Sequence, residues 1–247
     1  MPENIFDERV APFYDVTAAD MFDPVVLDPT VEFLAGLAST GQALELGIGT
    51  GRVALPLSRR GVRVHGIEIS EAMVAELRAK PGSEPITVTV GDFANATVDG
   101  TFGLAYLVYN TISNLITQDE QVECFRNVAR HLEPGGRFVI ELGIPELRRL
   151  PPGETRRVFE AGPEHLGFDE YDLVGSTLTS HHYFVIGGRL EQFSSTHRIT
   201  WPAELDLMAR IAGMTLLERV ADWDRTPFTA ESRKHISVWE KRPARTR

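Results

Sequence analysis

The 247-residue sequence predicts a doubly wound α/β fold around a mostly parallel seven-stranded sheet, with a β-hairpin insertion after the fifth strand. Three observations predict it. Between residues 43 and 142, five short apolar runs alternate with helical stretches. The first run opens into a glycine-rich turn, and the first three runs each end at or beside an acid. From residue 143 that rhythm breaks, and a hairpin signal follows.

Residues 1–40 read as a helical segment. Asp28 before Pro29 fits an N-cap with proline at the first helical position, and Val31, Leu34, Leu37 and Ala38 follow at helical spacing. Residues 43–46 make the first strand, and residues 52–60 a helix stopped by Gly61. Pro56 lies inside that helix, so it should remove one backbone hydrogen bond or bend it. The second strand is 62–67, and Ser70 caps a helix that runs to Lys80 and ends at Pro81-Gly82. Strands three and four are 86–90 and 102–108. Residues 118–132 form a helix whose Val122, Phe125, Val128, Ala129 and Leu132 share one face. Pro134-Gly135-Gly136 then turns into strand five, 138–142.

Residues 143–200 are expected to be a β-rich insertion covering the substrate side or a dimer contact. A Pro/Gly/Glu-rich linker leads to strands 177–186 and 189–199, joined by Gly187-Gly188. A two-residue turn puts Leu178, His182, Phe184, Phe193, His197 and Ile199 on one face. Trp201-Pro202 starts a helix ended by Gly213, and strands near 216–220 and 235–240 close the chain. Residues 1–247 thus read as a single domain.

Composition narrows the function. The formal net charge is -10, with 35 acidic against 25 basic residues, which disfavours a nucleic-acid partner. The one dense basic run, residues 241–247, reads as a solvated tail. Cys124 is the sole cysteine, so neither an internal disulfide nor a cysteine-built metal site is available, and on an apolar helix face it reads as a packing residue. His181 and His182 are adjacent on a strand and point to opposite faces, so no metal is expected. Residues 1–10 show neither a basic leader nor an apolar core, so no secretory signal is expected, and no apolar run approaches the roughly 20 residues of a spanning helix. A cytoplasmic protein without a membrane partner is expected.

The chemical signal centres on Leu44-Glu-Leu-Gly-Ile-Gly-Thr-Gly51. A strand ends in Glu45, and glycines at 47, 49 and 51 allow positive φ and close approach of a ligand. Twenty-three residues on, Glu68 ends the second strand, where a carboxylate can accept from both hydroxyls of a ribose. After the third strand, Asp92 could accept from an adenine amino group, with Phe93 near the ring and Ile69 and Met73 on its other side. Gly49 to Ala54 also satisfies a dinucleotide-binding pattern, so an NAD-dependent oxidoreductase is the first rival. Glu45 tilts the balance, because it suits an α-ammonium better than a pyrophosphate. A non-catalytic binding protein that keeps the donor pocket is the second rival.

These motifs resemble those of the class I (Rossmann-like) S-adenosylmethionine-dependent methyltransferases. The Leu44–Gly51 run looks like the family's first motif; Ile67-Glu68-Ile69-Ser70 and Gly91-Asp92-Phe93 carry its ribose and adenine acids. Leu132-Glu-Pro-Gly-Gly-Arg-Phe resembles its entry to strand five. The resemblance implies S-adenosylmethionine as cofactor, held by Glu45, Gly47, Gly49, Gly51, Glu68 and Asp92, with Tyr14 and Tyr109 alongside. Phe13-Tyr14-Asp15, the segment from Tyr109 to Leu115, and Thr196–Thr200 are similar to small-molecule enzymes such as amino-sugar N-methyltransferases. Those carry a histidine where this chain has Asn114. The implied activity is methyl transfer to an amine or hydroxyl of a small-molecule acceptor, in a possible homodimer. Tyr14, Asn110, Asn114, His182 and His197 are the acceptor-side candidates, and no catalytic base is assigned.

Overall fold

The computed structural model describes residues 6–38, 41–147 and 150–242. The basic run at 243–247 and the first five residues lie outside the described residues. The N-terminal segment is helical, as its pattern suggests: α1 (Ala11–Thr17), a 3₁₀ turn (Ala19–Phe22) and α2 (Pro24–Leu37). The helix starts earlier than expected. Asp23, not Asp28, is the N-cap of α2, its carboxylate accepting from the Val25 N–H at 2.9 Å. Two Asp-Pro pairs compete here, and Pro29 sits inside the helix.

The strands β1 (Gln42–Leu46), β2 (Arg63–Glu68), β3 (Thr87–Val90), β4 (Phe102–Leu107) and β5 (Leu132–Gly143) follow the expected order. Between them lie α3 (Ala54–Arg59), α4 (Glu71–Arg78) and α5 (Gln118–His131). Pro56 neither breaks nor bends a long helix, because α3 begins at Ala54 and puts it in the first turn, where N–H groups have no intrahelical partner. Ser70 caps α4, accepting from the Met73 N–H, and Thr117 with Glu120 forms a capping box on α5. Strand β5 starts at Leu132, earlier than 138, and its pairing with β4 shifts register near Phe102.

The remaining elements are β6 (Arg156–Ala161), β7 (His165–Asp172), β8 (Thr177–Ile186), β9 (Arg189–Arg198), α6 (Pro202–Ile211), β10 (Met214–Val220) and β11 (Lys234–Lys241). The main sheet has seven strands in the order β10-β11-β5-β4-β1-β2-β3, parallel except for β11, which runs against both of its neighbours. One face buries Leu44, Phe125, Phe138 and Trp239; the other buries Leu34, Leu57, Tyr106 and Ile236. Chain order reverses between β1 and β4, so a crevice opens past the carboxyl ends of those strands.

Residues 143–200 hold more than a linker and a hairpin. Strands β6 and β7 extend the pair β8–β9 into a four-stranded antiparallel sheet. The turn at Gly187-Gly188 is the two-residue turn expected, and it pairs Leu178 with His197 and His182 with Phe193. The face read from the sequence is therefore the face that forms.

Candidate active site

A cavity of about 850 Å³ lies between the carboxyl ends of the parallel strands and one side of the four-stranded sheet. On the parallel-sheet side, Gly47, Gly49, Glu68, Ile69, Met73, Asp92 and Phe93 form the wall. The Glu68 carboxylate accepts from the Gly49 N–H at 2.8 Å and the Ser70 N–H at 3.0 Å. Burial raises its pKa, and the two N–H groups oppose that shift. Asp92 accepts from the Ala94 N–H at 2.9 Å, which turns the chain after β3. Gly47 and Gly49 have φ of +69° and +55°; a Cβ on Gly47 would lie 2.8 Å from Thr111 Cγ2. Only glycine fits this turn without moving the wall.

Two residues expected at the donor do not face the cavity. Glu45 lies beneath the turn, 3% exposed, and its carboxylate accepts from the Tyr106 hydroxyl at 2.8 Å. Burial pushes its pKa up to about 8, against the pull of the Tyr106 bond and the Arg52 charge. Gly51, at φ +82°, lets the turn close on α4, since a Cβ there would run into Leu77. Both therefore shape the turn from behind.

Tyr14 reaches the cavity from α1 and meets Phe6 edge-on at 5.7 Å. The N-terminal segment is tied down. Asp15 accepts from the Thr50 hydroxyl at 2.6 Å and pairs with Lys80, while the Ser70 hydroxyl donates to the Phe6 carbonyl. After β4, Tyr109 and Asn110 both take left-handed backbone, φ 57° and 61°. The strained pair is held from β5: the Tyr109 N–H donates to Glu141 at 3.0 Å and the Gly143 N–H to Asn110 Oδ1 at 2.7 Å. Glu141 also accepts from the Trp223 indole and Lys234, a clamp that sequence reading missed because its partners lie far along the chain. The Arg52 guanidinium stands 5.3 Å from the Tyr109 ring centroid.

The opposite wall brings Asn114 and His197 together, with Asn114 Oδ1 3.2 Å from His197 Nδ1. His197 Nε2 lies 2.9 Å from Ser195 Oγ, and burial lowers the imidazole pKa. His182 is not part of this wall. Its Nδ1 lies 3.0 Å from His165 Nε2, and both rings stack with Phe184 further along the same sheet face. Arg157, Asp169 and Tyr171 do line the cavity, from strands read as a linker; the Gly162-Pro163 pair between two runs was the signal available. Cys124 is buried in α5 away from the cavity, its thiol pKa raised by burial. Among the described residues no cluster of three or more His, Cys, Asp or Glu could hold a metal.

Fold and site together define an α/β class with carboxylates and a glycine turn gathered at the tips of parallel strands. A methyltransferase-domain family profile matches residues 43–136. The cypemycin N-terminal methyltransferase of a Streptomyces species is 30% identical over 240 residues, covering 92% of this chain and 97% of that protein. This chain belongs to the class I S-adenosylmethionine-dependent methyltransferases. It is also similar to the CcbJ methyltransferase of Streptomyces caelestis (38% identity, TM-score 0.79, covering 92% of this chain and 96% of that one). An amino pentose methyltransferase of Micromonospora echinaspora, CalS10, shares the fold at 20% identity (TM-score 0.67, 92% and 96% covered). The chain is accordingly an S-adenosylmethionine-dependent enzyme, and the oxidoreductase and non-catalytic readings give way to methyl transfer.

Proposed function

We propose that the enzyme methylates an amine nitrogen of a small molecule, with a hydroxyl as the alternative acceptor, and that residues 143–200 cover the acceptor side. One observation carries the reading: a single cavity has strand-tip carboxylates and glycines at one wall and a neutral imidazole, hydroxyls and acids at the other. At the first wall Glu68 and Asp92 suit the ribose hydroxyls and the adenine amine, with Ile69, Met73 and Phe93 packing the ring. The cradle made by Gly47 and Gly49 leaves room that any side chain would fill. Glu45, below it, is a buried carboxyl that holds its proton near neutrality in the ligand-free fold, and an α-ammonium bound nearby would draw it toward the charged form.

S-adenosylmethionine supplies a methyl group activated on sulfonium, with a neutral thioether leaving group. The protein's task is then to hold the nucleophile in line at about 3 Å from that carbon and exclude water. Glu120, Glu146 and Asp169 line the acceptor half against Arg157 and Arg198. That balance favours a basic amine over a polyanion, which with the net charge of -10 argues against nucleic acid. The cypemycin relative, an N-terminal methyltransferase, and CalS10, an amino pentose methyltransferase, support the same reading.

The test is a methylation assay over a panel of amino sugars, peptide N-termini and matched hydroxy analogues, read by mass spectrometry. A methyl gain on an amine supports the amine reading; gain only on hydroxyls overturns it in favour of the alternative acceptor. S-adenosylhomocysteine should raise the melting temperature and NAD should not.

A further inference from the structure

The acceptor wall holds one imidazole whose two nitrogens are both engaged. We infer that His197 takes the acceptor's proton through the Ser195 hydroxyl, with Asn114 as the positioning residue that fixes its tautomer. The inference rests on the amine reading above. Asn114 turns its amide oxygen to His197 Nδ1 at 3.2 Å. An amide oxygen only accepts, so Nδ1 carries the hydrogen and Nε2 keeps its lone pair. Ser195 Oγ, 2.9 Å from Nε2, therefore donates to it and leaves its own lone pairs for the cavity it lines. Ser195 and His197 alternate on β9, so both point to one side of the sheet.

The other proton acceptors of the cavity are already committed. Glu68 and Asp92, bonded to the Gly49, Ser70 and Ala94 N–H groups, belong to the opposite, donor half of the cavity, and Glu120 accepts from Thr117. Glu146 pairs with Arg157, and the Arg198 guanidinium with Glu204. Tyr14, Tyr109 and Tyr171 are all held protonated by burial, which raises each phenol. Asp169, which accepts from Ser180 at 2.7 Å, stands on the cross-strand row of Ser180 and Ser195. Burial keeps the resting His197 ring neutral, and the Asp169 charge works against that shift. An imidazolium formed in the reaction would thus have a counter-charge in place.

The step balances without another reactant. As the acceptor nitrogen's lone pair bonds to the methyl carbon, the carbon–sulfur pair returns to sulfur. The N–H proton passes to Ser195 Oγ, and the Ser195 proton to His197 Nε2. Solvent later takes that proton.

Sinefungin tests this without a known acceptor, because it carries a primary amine where the donor's methyl stands. Affinities for sinefungin and S-adenosylhomocysteine are measured by calorimetry on the full chain from about pH 5.5 to 8. The parent should prefer sinefungin by about tenfold near neutrality. The preference should shrink as pH falls through the His197 transition, when an imidazolium would face the ammonium. His197→Gln and Ser195→Ala should each abolish both the preference and its pH dependence while leaving S-adenosylhomocysteine affinity unchanged. Asn114→Asp, which still accepts the Nδ1 hydrogen, should retain them, and Asn114→Leu should not. An unaltered, pH-dependent preference in both His197→Gln and Ser195→Ala would overturn the inference, as would no preference in the parent. Methylation of hydroxyls only, in the panel assay, refutes the amine reading by a separate route.

Discussion

The two walls of the cavity are built by different physics. The wall proposed to hold the donor is made of strand tips in a buried parallel sheet: β1 and β2 are nearly closed to solvent along their carboxyl halves, and Glu45 and Glu68 are themselves buried. The wall proposed to face the acceptor is a half-exposed antiparallel sheet, with Val158, Leu190 and Phe193 open to solvent. A wall fixed by backbone turns and a packed core tolerates little change. A wall presented by exposed strands can exchange side chains while the scaffold stands, which suits the part of an enzyme that selects its acceptor.

Four substitutions sharpen that contrast. Gly51→Val asks the donor turn for a left-handed β-branched residue and a clash with Leu77. It should cost about 2–4 kcal/mol, lower the melting temperature by roughly 10 °C, and abolish S-adenosylhomocysteine binding. A variant that melts and binds like the parent would break the comparison.

Glu45→Gln probes the buried carboxyl through pH. Its folded pKa, about 8, lies above the ordinary 4.5, so the folded state holds the proton more tightly than the unfolded chain. Stability should therefore fall as pH rises between those two values, by an amount on the order of a few kcal/mol at most. The glutamine can still accept from Tyr106 and should flatten that slope in ligand-free chemical denaturation. Parallel pH profiles for both proteins would mean that Glu45 is not protonated in the fold.

Asp92→Ala should weaken S-adenosylhomocysteine by about tenfold, the worth of one charged hydrogen bond, as read by calorimetry. Arg156→Ala, on the acceptor sheet, removes an exposed ion pair with Glu170 at 2.8 Å. Its melting temperature should stay within about 2 °C of the parent, because exposed pairs contribute little. A larger drop would mean that the second sheet is as tightly coupled as the first.

The same contrast decided what the sequence revealed. Gly47, Gly49, Glu68 and Asp92 are legible because each obeys a local rule: a strand, then a turn residue, then a helix cap such as Ser70. Strands β8 and β9 were legible in register because Gly187-Gly188 permits only a short turn. Asp169 was not, since the apolar alternation of β7 stops after Leu166 and Phe168 and Asp-Glu-Tyr-Asp follows; pairing with β8 makes it a strand. His182 and His197 looked equivalent, sharing one face, and only the placement of the sheet against Asn114 separates them. The depth of Glu45 was illegible for a related reason. Its strand position is right, but β1 is central, so the side chain ends in the core with Tyr106. Position along a strand gives the end of the sheet, not the depth below its surface.

The most direct test of the donor site is calorimetric titration of S-adenosylhomocysteine into the parent and into Glu68→Ala. With the ribose on this carboxylate, the variant should bind about 30- to 100-fold more weakly, the loss of one or two charged hydrogen bonds. Equal affinities in the two proteins would contradict the assignment of the parallel-strand tips as the donor site.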